Sequence, residues 1–330
     1  MFTARFLAVN YAWRQKSIGP EPKSFAQTPA SFSPEIVYEN RDLQDHLLRM
    51  THTSIKSAAI TCVRNDTMFL DRWIAYYGEQ LGYKHLYVFL DGFDQPLPNL
   101  HAEINCIRIP NVPMPRARGD KRRAEMISNL ARAIFPYYDA VIALDVDEFL
   151  VPDPAKYADL NGFIAKGPKR RTLSGLGLDV AQHRTLETAL DHDQPFLGQR
   201  RFAQISTRYT KPALAFKPVT WGSGFHRIKG RNFHIAPDFY LFHFGMVDRD
   251  LSKQKTEDAD RLKTGWGGHL LRREELFDVI ADTPASDFDT EVARSRQMQT
   301  WVRQIQAWNK PAMLNQQRVV EIPERFFGVV

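Results

Sequence analysis

The stretch YYDAVIALDVDEFLVPD, residues 137–153, decides the reading. Five apolar residues, Ala140 to Leu144, run into Asp145, Asp147 and Glu148 before Phe149-Leu150-Val151 resumes. A short apolar run of this kind is a buried strand, and carboxylates so close raise each other's pKa unless a cation lies beside them. Side chains alternate along a strand, so Asp145 and Asp147 converge on one cation if the chain stays extended. Mg²⁺ and Mn²⁺ take oxygen ligands, and Mg²⁺ commonly uses one or two carboxylates together with substrate phosphates. The plainer reading is that the acids cap a helix or pair with Arg122 or Arg123. A bare Asp-x-Asp favours the plainer reading; one that ends a buried strand at a ligand-binding rim favours the metal.

The flanking sequence supplies such a rim. SAAITCV (57–63) reads as a strand, and DTMFLDRWIAYYGEQLG (66–82) as a helix capped by Asp66 and stopped by Gly82, with Phe69 or Leu70, Trp73, Tyr77 and Leu81 on one face. HLYVFL (85–90) and INCIRIP (104–110) are further strands, and after the loop NVPMPRARGD a helix is expected from Asp120 to Phe135. Strands alternating with helices make a parallel sheet covered on both faces, with ligands beyond the carboxyl ends of the strands. That rule brings Arg64, Asn65, Asp91, the basic loop Arg116 to Arg123, and the acidic pair to one edge. RARGDKRR (116–123) and YTKPALAFKP (209–218), the latter with Lys211 and Lys217, suit diphosphate oxygens, and Arg123 and Lys217 are preferred as donor ligands.

At 330 residues the chain can bury a large core in one domain with additions or in two. Hydrophobic residues at 43% and charged residues at 25% exclude a disordered or fibrous protein. The excess of 44 Lys and Arg over 38 Asp and Glu suits anionic ligands or lipids, and no nucleic acid is expected as a partner. Cys62 and Cys106 lack metal or redox spacing and read as reduced thiols of a cytoplasmic protein. No run approaches the roughly 18 apolar residues of a membrane span, and no secretory signal is expected. Residues 1–56, with Pro20, Pro22, Pro29 and Pro34, read as an arm or linker. Its Phe2, Phe6 and Trp13 beside Arg5, Arg14 and Lys16 suit a peripheral membrane contact, although such arms more often pack or float.

The blocks CVRNDTMFLDRWIAYYGEQLGYKHLYVFLDG (62–92), YYDAVIALDVDEFLVPD, RYTKPALAF (208–216) and LFHFG (241–245) occur in the order seen in bacterial glycosyltransferases of the family 2 type. The set is also similar to glycosyltransferase family 92. The resemblance covers roughly residues 57–255 and implies a GT-A fold there, a Rossmann-like, mostly parallel α/β sheet flanked by helices; the arm before it and a helical extension, residues 256–330, after it do not belong to the resemblance. It implies a nucleoside-diphosphate sugar donor, Mn²⁺ or Mg²⁺, and transfer, with inversion, of a hexosyl group to a polysaccharide, lipid-linked or other cell-envelope acceptor. Carried onto this chain, Arg64, Asn65 and Asp91 border the base and ribose, Asp145 meets ribose or metal, and Asp147 is the chief metal ligand. In the GT-A fold a late histidine often completes the metal site, and His243, after the apolar FYLF, is preferred to His226. The sequence departs from the family at LSGLGLDVAQHRTLETALDHDQPF (173–196), where an aromatic and Gly-Ser pattern is expected.

An inverting enzyme needs a carboxylate within reach of the acceptor hydroxyl, and Asp179, after the strand-like TLSGLGL, is chosen over Asp191, Asp193 and Asp238. A helix is expected near Ala293 to Trp308, with Met298, Trp301, Val302, Ile305 and Trp308 as a stripe that packs on the domain. Two competing classes remain. A haloacid-dehalogenase-type phosphohydrolase also ends a strand with Asp-x-Asp and binds Mg²⁺, and a non-catalytic relative would bind nucleotide sugar without turnover.

Overall fold

Ser57–Val63 forms strand β1, buried over its whole length, and its alternation explains how the sheet is covered. Ala58, Ile60 and Cys62 share one core with Ile127 and Ala131, whereas Ala59 and Val63 share another with Phe69 and Trp73. The first pair of partners lies on α2 (Arg116–Ile134) and the second on α1 (Thr67–Leu81), so helices cover both faces. With β2 (Leu86–Asp91), β3 (Asn105–Ile109) and β4 (Ala140–Ala143), β1 forms a parallel sheet ordered β3-β2-β1-β4. The computed structural model describes residues 56–258, 262–263, 267–303, 308–312 and 317–330; the expected arm, but for Lys56, lies outside these. Residues 55–330 form a unit by themselves.

One helix cap and one helix start differ from expectation. Asp66 makes no side-chain cap bond and instead pairs with Lys255 at 3.2 Å. The helix α2 begins at Arg116, directly after Pro115, so the basic stretch is its first two turns rather than a loop. Pairs Arg116–Asp120 at 3.6 Å and Asp120–Arg123 at 3.0 Å, spaced four and three residues apart, favour the helical form there.

Beyond β4 come β5 (Glu148–Pro152), α3 (Leu160–Lys166), β6 (Thr172–Ala181), β7 (Phe202–Ile205), β8 (Leu214–Ala215) and β9 (Ile235–Met246). Helices α4 (Arg249–Glu257), α5 (Gly267–Asp282) and α6 (Phe288–Trp301) and strand β10 (Val319–Glu321) follow. The sheet continues from β4 through antiparallel β8 to β6, β7 and β10, while β9 runs parallel to β6 and antiparallel to β5. The α/β sheet is thus parallel on one side and mixed on the other. Tyr76 of α1 donates its hydroxyl to Leu150 O at 2.7 Å, and Leu150 N donates to Tyr77 Oη at 2.9 Å, which ties β5 to the helix.

In the 256–330 segment, Phe288, Val292, Val320 and Phe326 join the same core as β5 and β9. The helix α6 buries Phe288, Val292, Ser295 and Gln299, a stripe on a different face from the expected one. It stops at Trp301, and Trp301, Val302 and Trp308 are 77%, 42% and 51% exposed. Ile305 lies outside the described residues. Both cysteines are free, and burial pushes the Cys62 thiol up to about 12. Among the described residues no helix is long and apolar enough to cross a membrane.

Candidate functional site

The carboxyl ends of β1, β2 and β4 open into a cavity of about 1080 Å³. Arg64, Asn65, Asp91 and Arg123 line its parallel side; Asp145, Asp147, His226 and His243 line the other. Lys217 and Asp179 are not brought to it.

On the parallel side the loops after strands do the positioning. Arg64 Nη1 donates to Asp91 O at 2.8 Å, and its guanidinium forks onto both carboxylate oxygens of Asp94 at 3.1 Å. Asn65 adopts φ 53°, a left-handed conformation that asparagine tolerates better than most residues, and exchanges hydrogen bonds with Gln95 at 2.8 and 2.9 Å. Asp91 accepts from Asn111 Nδ2 at 3.1 Å. Gly92, at φ 128°, has no room for a Cβ, which would fall 2.4 Å from Arg64 Nη1. Asp94 and Gln95 were not foreseen; they lie in the turn that follows Asp91-Gly92, where loop residues face a ligand edge.

The acidic motif does not stay extended. Glu148 N donates to Asp145 O at 3.2 Å, closing a turn, and the chain leaves β4 for β5. This sends the two aspartates to different partners. Asp145 meets Arg123 at 3.3 Å and Lys211 Nζ at 3.2 Å; burial would raise its carboxyl, and these two cations hold it below its ordinary value. Lys211 also pairs with Glu148. Burial lifts the Glu148 carboxyl to about 7 against the pull of Lys211, and its Oε2 is buried without a hydrogen-bond partner.

Strand direction decides which lysine arrives. Because β8 runs antiparallel to β4, Lys211, just before β8, lies at the carboxyl end of β4, and Lys217, just after β8, lies at the opposite end and is exposed.

A second buried row forms by register: Glu148 of β5 pairs with His243 of β9, and His243 with Asp179 of β6. His243 Nδ1 lies 2.8 Å from Asp179 Oδ1, and Nε2 lies 3.4 Å from Asp147 Oδ2. A carboxylate only accepts, so Nδ1 carries a proton toward Asp179. Tyr209 stacks on the imidazole at a centroid distance of 3.7 Å. Burial disfavours the imidazolium, but Asp147 and Asp179 on either side outweigh it and raise the His243 pKa. Burial would likewise raise Asp147, yet His243 and then Lys255 and Lys211 hold it far below the carboxylate range. Gly245 keeps this corner open, since a Cβ there would lie 2.5 Å from the His243 ring.

Asp179, expected as the base, has another place. It is fully buried behind His243, with Arg273 Nη2 at 2.8 Å from Oδ1 and 2.7 Å from Oδ2. Burial favours its neutral form, but Arg273 and His243 hold the carboxyl below its ordinary value. A base must reach the proton it takes; this carboxylate instead orients an imidazole.

Asp147, Glu148 and His243 offer ligand atoms within 4.8 Å of one another and could hold a metal ion. Asp145 is not in that group, because the turn carries it to Arg123 and Lys211. The donor set of one imidazole nitrogen and two carboxylates, with one unpartnered buried oxygen, fits Mn²⁺ or Mg²⁺, and Asp179 on the far nitrogen is the usual support of a metal-bound histidine. His226 lies elsewhere on the wall: its Nδ1 is 2.9 Å from Arg208 O, and burial pushes it down to about 3.

No family model matches the chain, and no curated protein matches it. Among solved structures, the mannose-1-phosphate geranyltransferase from Thermus thermophilus is similar over 81% of this chain and 74% of that chain, at 10% identity and a TM-score of 0.27. At that TM-score the likeness carries no argument.

Proposed function

We propose that the chain is a metal-dependent glycosyltransferase of the family 2 type, moving a sugar from a nucleoside diphosphate to a glycan or lipid-linked acceptor. One observation carries the reading. A single cavity at the carboxyl ends of parallel strands puts Asp147, Glu148 and His243 beside a wall that includes Arg122, Arg208 and Arg272. This combination suits a diphosphate, because cationic forks take the outer oxygens while a divalent ion lets carboxylates and phosphates approach.

In this reading Asp147, Glu148 and His243 hold Mn²⁺ or Mg²⁺, which when bound offsets the charge on the departing diphosphate. Arg64, Asn65 and Asp91 border the nucleoside. Asp145, neutralised by Arg123 and Lys211, faces the ribose side, and Asp179 keeps the His243 tautomer that leaves Nε2 free. The phosphohydrolase alternative needs an unencumbered first aspartate, and the two cations on Asp145 speak against it.

Incubation with nucleotide sugars and Mn²⁺ separates the classes. A transferase slowly releases nucleoside diphosphate; a phosphohydrolase frees inorganic phosphate from a phosphomonoester; a binding protein does neither. Nucleoside diphosphate release that survives Asp147→Asn unchanged would end the metal-ligand assignment.

A further inference from the structure

The end of the sheet opposite the cavity carries a charge pattern that the proposed activity does not use. Residues 166–171 hold four cations and residues 217–231 four more, with no carboxylate in either segment. The whole chain has an excess of only six, so the remainder is mildly acidic in sum and the positive charge is concentrated. The first segment leads into β6 and the second leaves β8, at the ends of those strands away from Asp179 and Lys211. They meet through Phe216 N donating to Arg171 O at 2.9 Å, and Arg132 of α2 joins them through Thr220 Oγ1 at 3.3 Å.

Arg132, Arg171, Lys229 and Arg231 line a cleft of about 170 Å³ there, and among the described residues none of the four is in an ion pair. The end of α6 abuts the same region. The Arg303 guanidinium lies 4.1 Å over the Phe233 ring, and Asn309 Nδ2 donates to Ile228 O at 3.0 Å. This is the end that exposes Trp301, Val302 and Trp308.

We propose that this basic cleft and its flanking tryptophans form a docking surface for an anionic lipid bilayer. Indoles settle at headgroup depth, and basic side chains near an anionic leaflet each strengthen attachment about fivefold. The unpaired cations of the cleft complement headgroup phosphates. A single-stranded nucleic acid would call for rings inside the cationic groove, where bases stack; here Trp301 and Trp308 do not line the cleft and are accompanied by exposed Val302. The inference does not rest on the transferase reading, and attachment at this end leaves the cavity open.

Flotation of the full chain with vesicles of phosphatidylcholine, alone or mixed with phosphatidylglycerol, tests it. Attachment is expected to the mixed vesicles only and to weaken with salt. Lys229→Ala with Arg231→Ala, both exposed, should lower partitioning about 25-fold, and Trp301→Ala with Trp308→Ala should lower it independently, all at unchanged Tm. Failure to float, equal attachment to neutral vesicles, or variants that float like the parent would overturn the inference. So would a single-stranded oligonucleotide that binds more tightly than the mixed vesicles and loses affinity in the same variants.

Discussion

The two sides of the sheet hold their polar groups in different ways. On the parallel side Arg64 and Asn65 stand in the loop after β1 and Asp91 ends β2, all three steadied by partners from neighbouring loops, Asp94, Gln95 and Asn111. On the mixed side Glu148, His243 and Asp179 come from three strands and meet by register, with His243 and Asp179 64 residues apart in sequence. Loops leave an edge open for a ligand to select; register makes a buried row whose protonation is set before any ligand arrives.

The contrast is sharpest for the two lysines that flank β8. Replacing Lys211 leaves the buried Glu148 and the partly buried Asp145 without their shared cation, so Lys211→Met should cost about 3–5 kcal/mol of stability. Lys217→Met, at the exposed end of the strand, should stay within about 0.5 kcal/mol. Denaturant unfolding of both checks this, and equal losses would break the assignment of Lys211 to the rim.

The histidines come next. With nucleoside diphosphate present, His243→Ala should weaken Mn²⁺ binding more than about 100-fold, since a ligand counts for more than its supporting groups. His226→Ala should leave the affinity unchanged. Asp179→Asn should weaken Mn²⁺ binding by about 10–100-fold, through loss of the carboxylate that orients His243. If Asp179 were instead the base, turnover would vanish while metal affinity stayed at the parent value.

A smaller effect lies in pH dependence. Metal binding requires an unprotonated His243 Nε2, and Asp147 and Asp179 raise the pKa of that imidazole against its burial. Affinity should therefore fall with decreasing pH, and the fall should begin above the ordinary imidazole range. Asp179→Asn should move it to lower pH, whereas His226, held neutral down to about 3, should not shift it. Mn²⁺ titrations across pH read this directly; a profile matching ordinary histidine would contradict the flanked arrangement.

Legibility in the sequence follows the same division. The first three strands, helix α1 and the rim position of Arg64, Asn65, Asp91 and the acidic motif follow from apolar runs and local stops, because neighbours in sequence make those elements. What escaped depends on pairing between distant strands. Asp145 and Asp147 were expected to share a face, but a turn at Val146 divides them. Glu148 looked like a third acid and is the first residue of β5, in register with His243. Lys217 and Lys211 are indistinguishable by composition; only the antiparallel course of β8 separates them. Asp179 was expected just after a strand, as a base would be, yet β6 runs on to Ala181 and pairs it with His243 of β9, away from the cavity. The expected stripe from Met298 to Trp308 had helical spacing, but α6 ends at Trp301 and buries another face, since spacing identifies a face without saying which one is buried or where the helix stops.

The central claim is that the cavity takes a nucleoside diphosphate through a divalent ion held by Asp147, Glu148 and His243. Isothermal titration of nucleoside diphosphate into the full chain, with Mn²⁺ and then with EDTA, tests it most directly. The account predicts a saturable binding isotherm with Mn²⁺ that EDTA abolishes and that Asp147→Asn abolishes in a chain that still unfolds cooperatively; equal affinity with and without metal would contradict it.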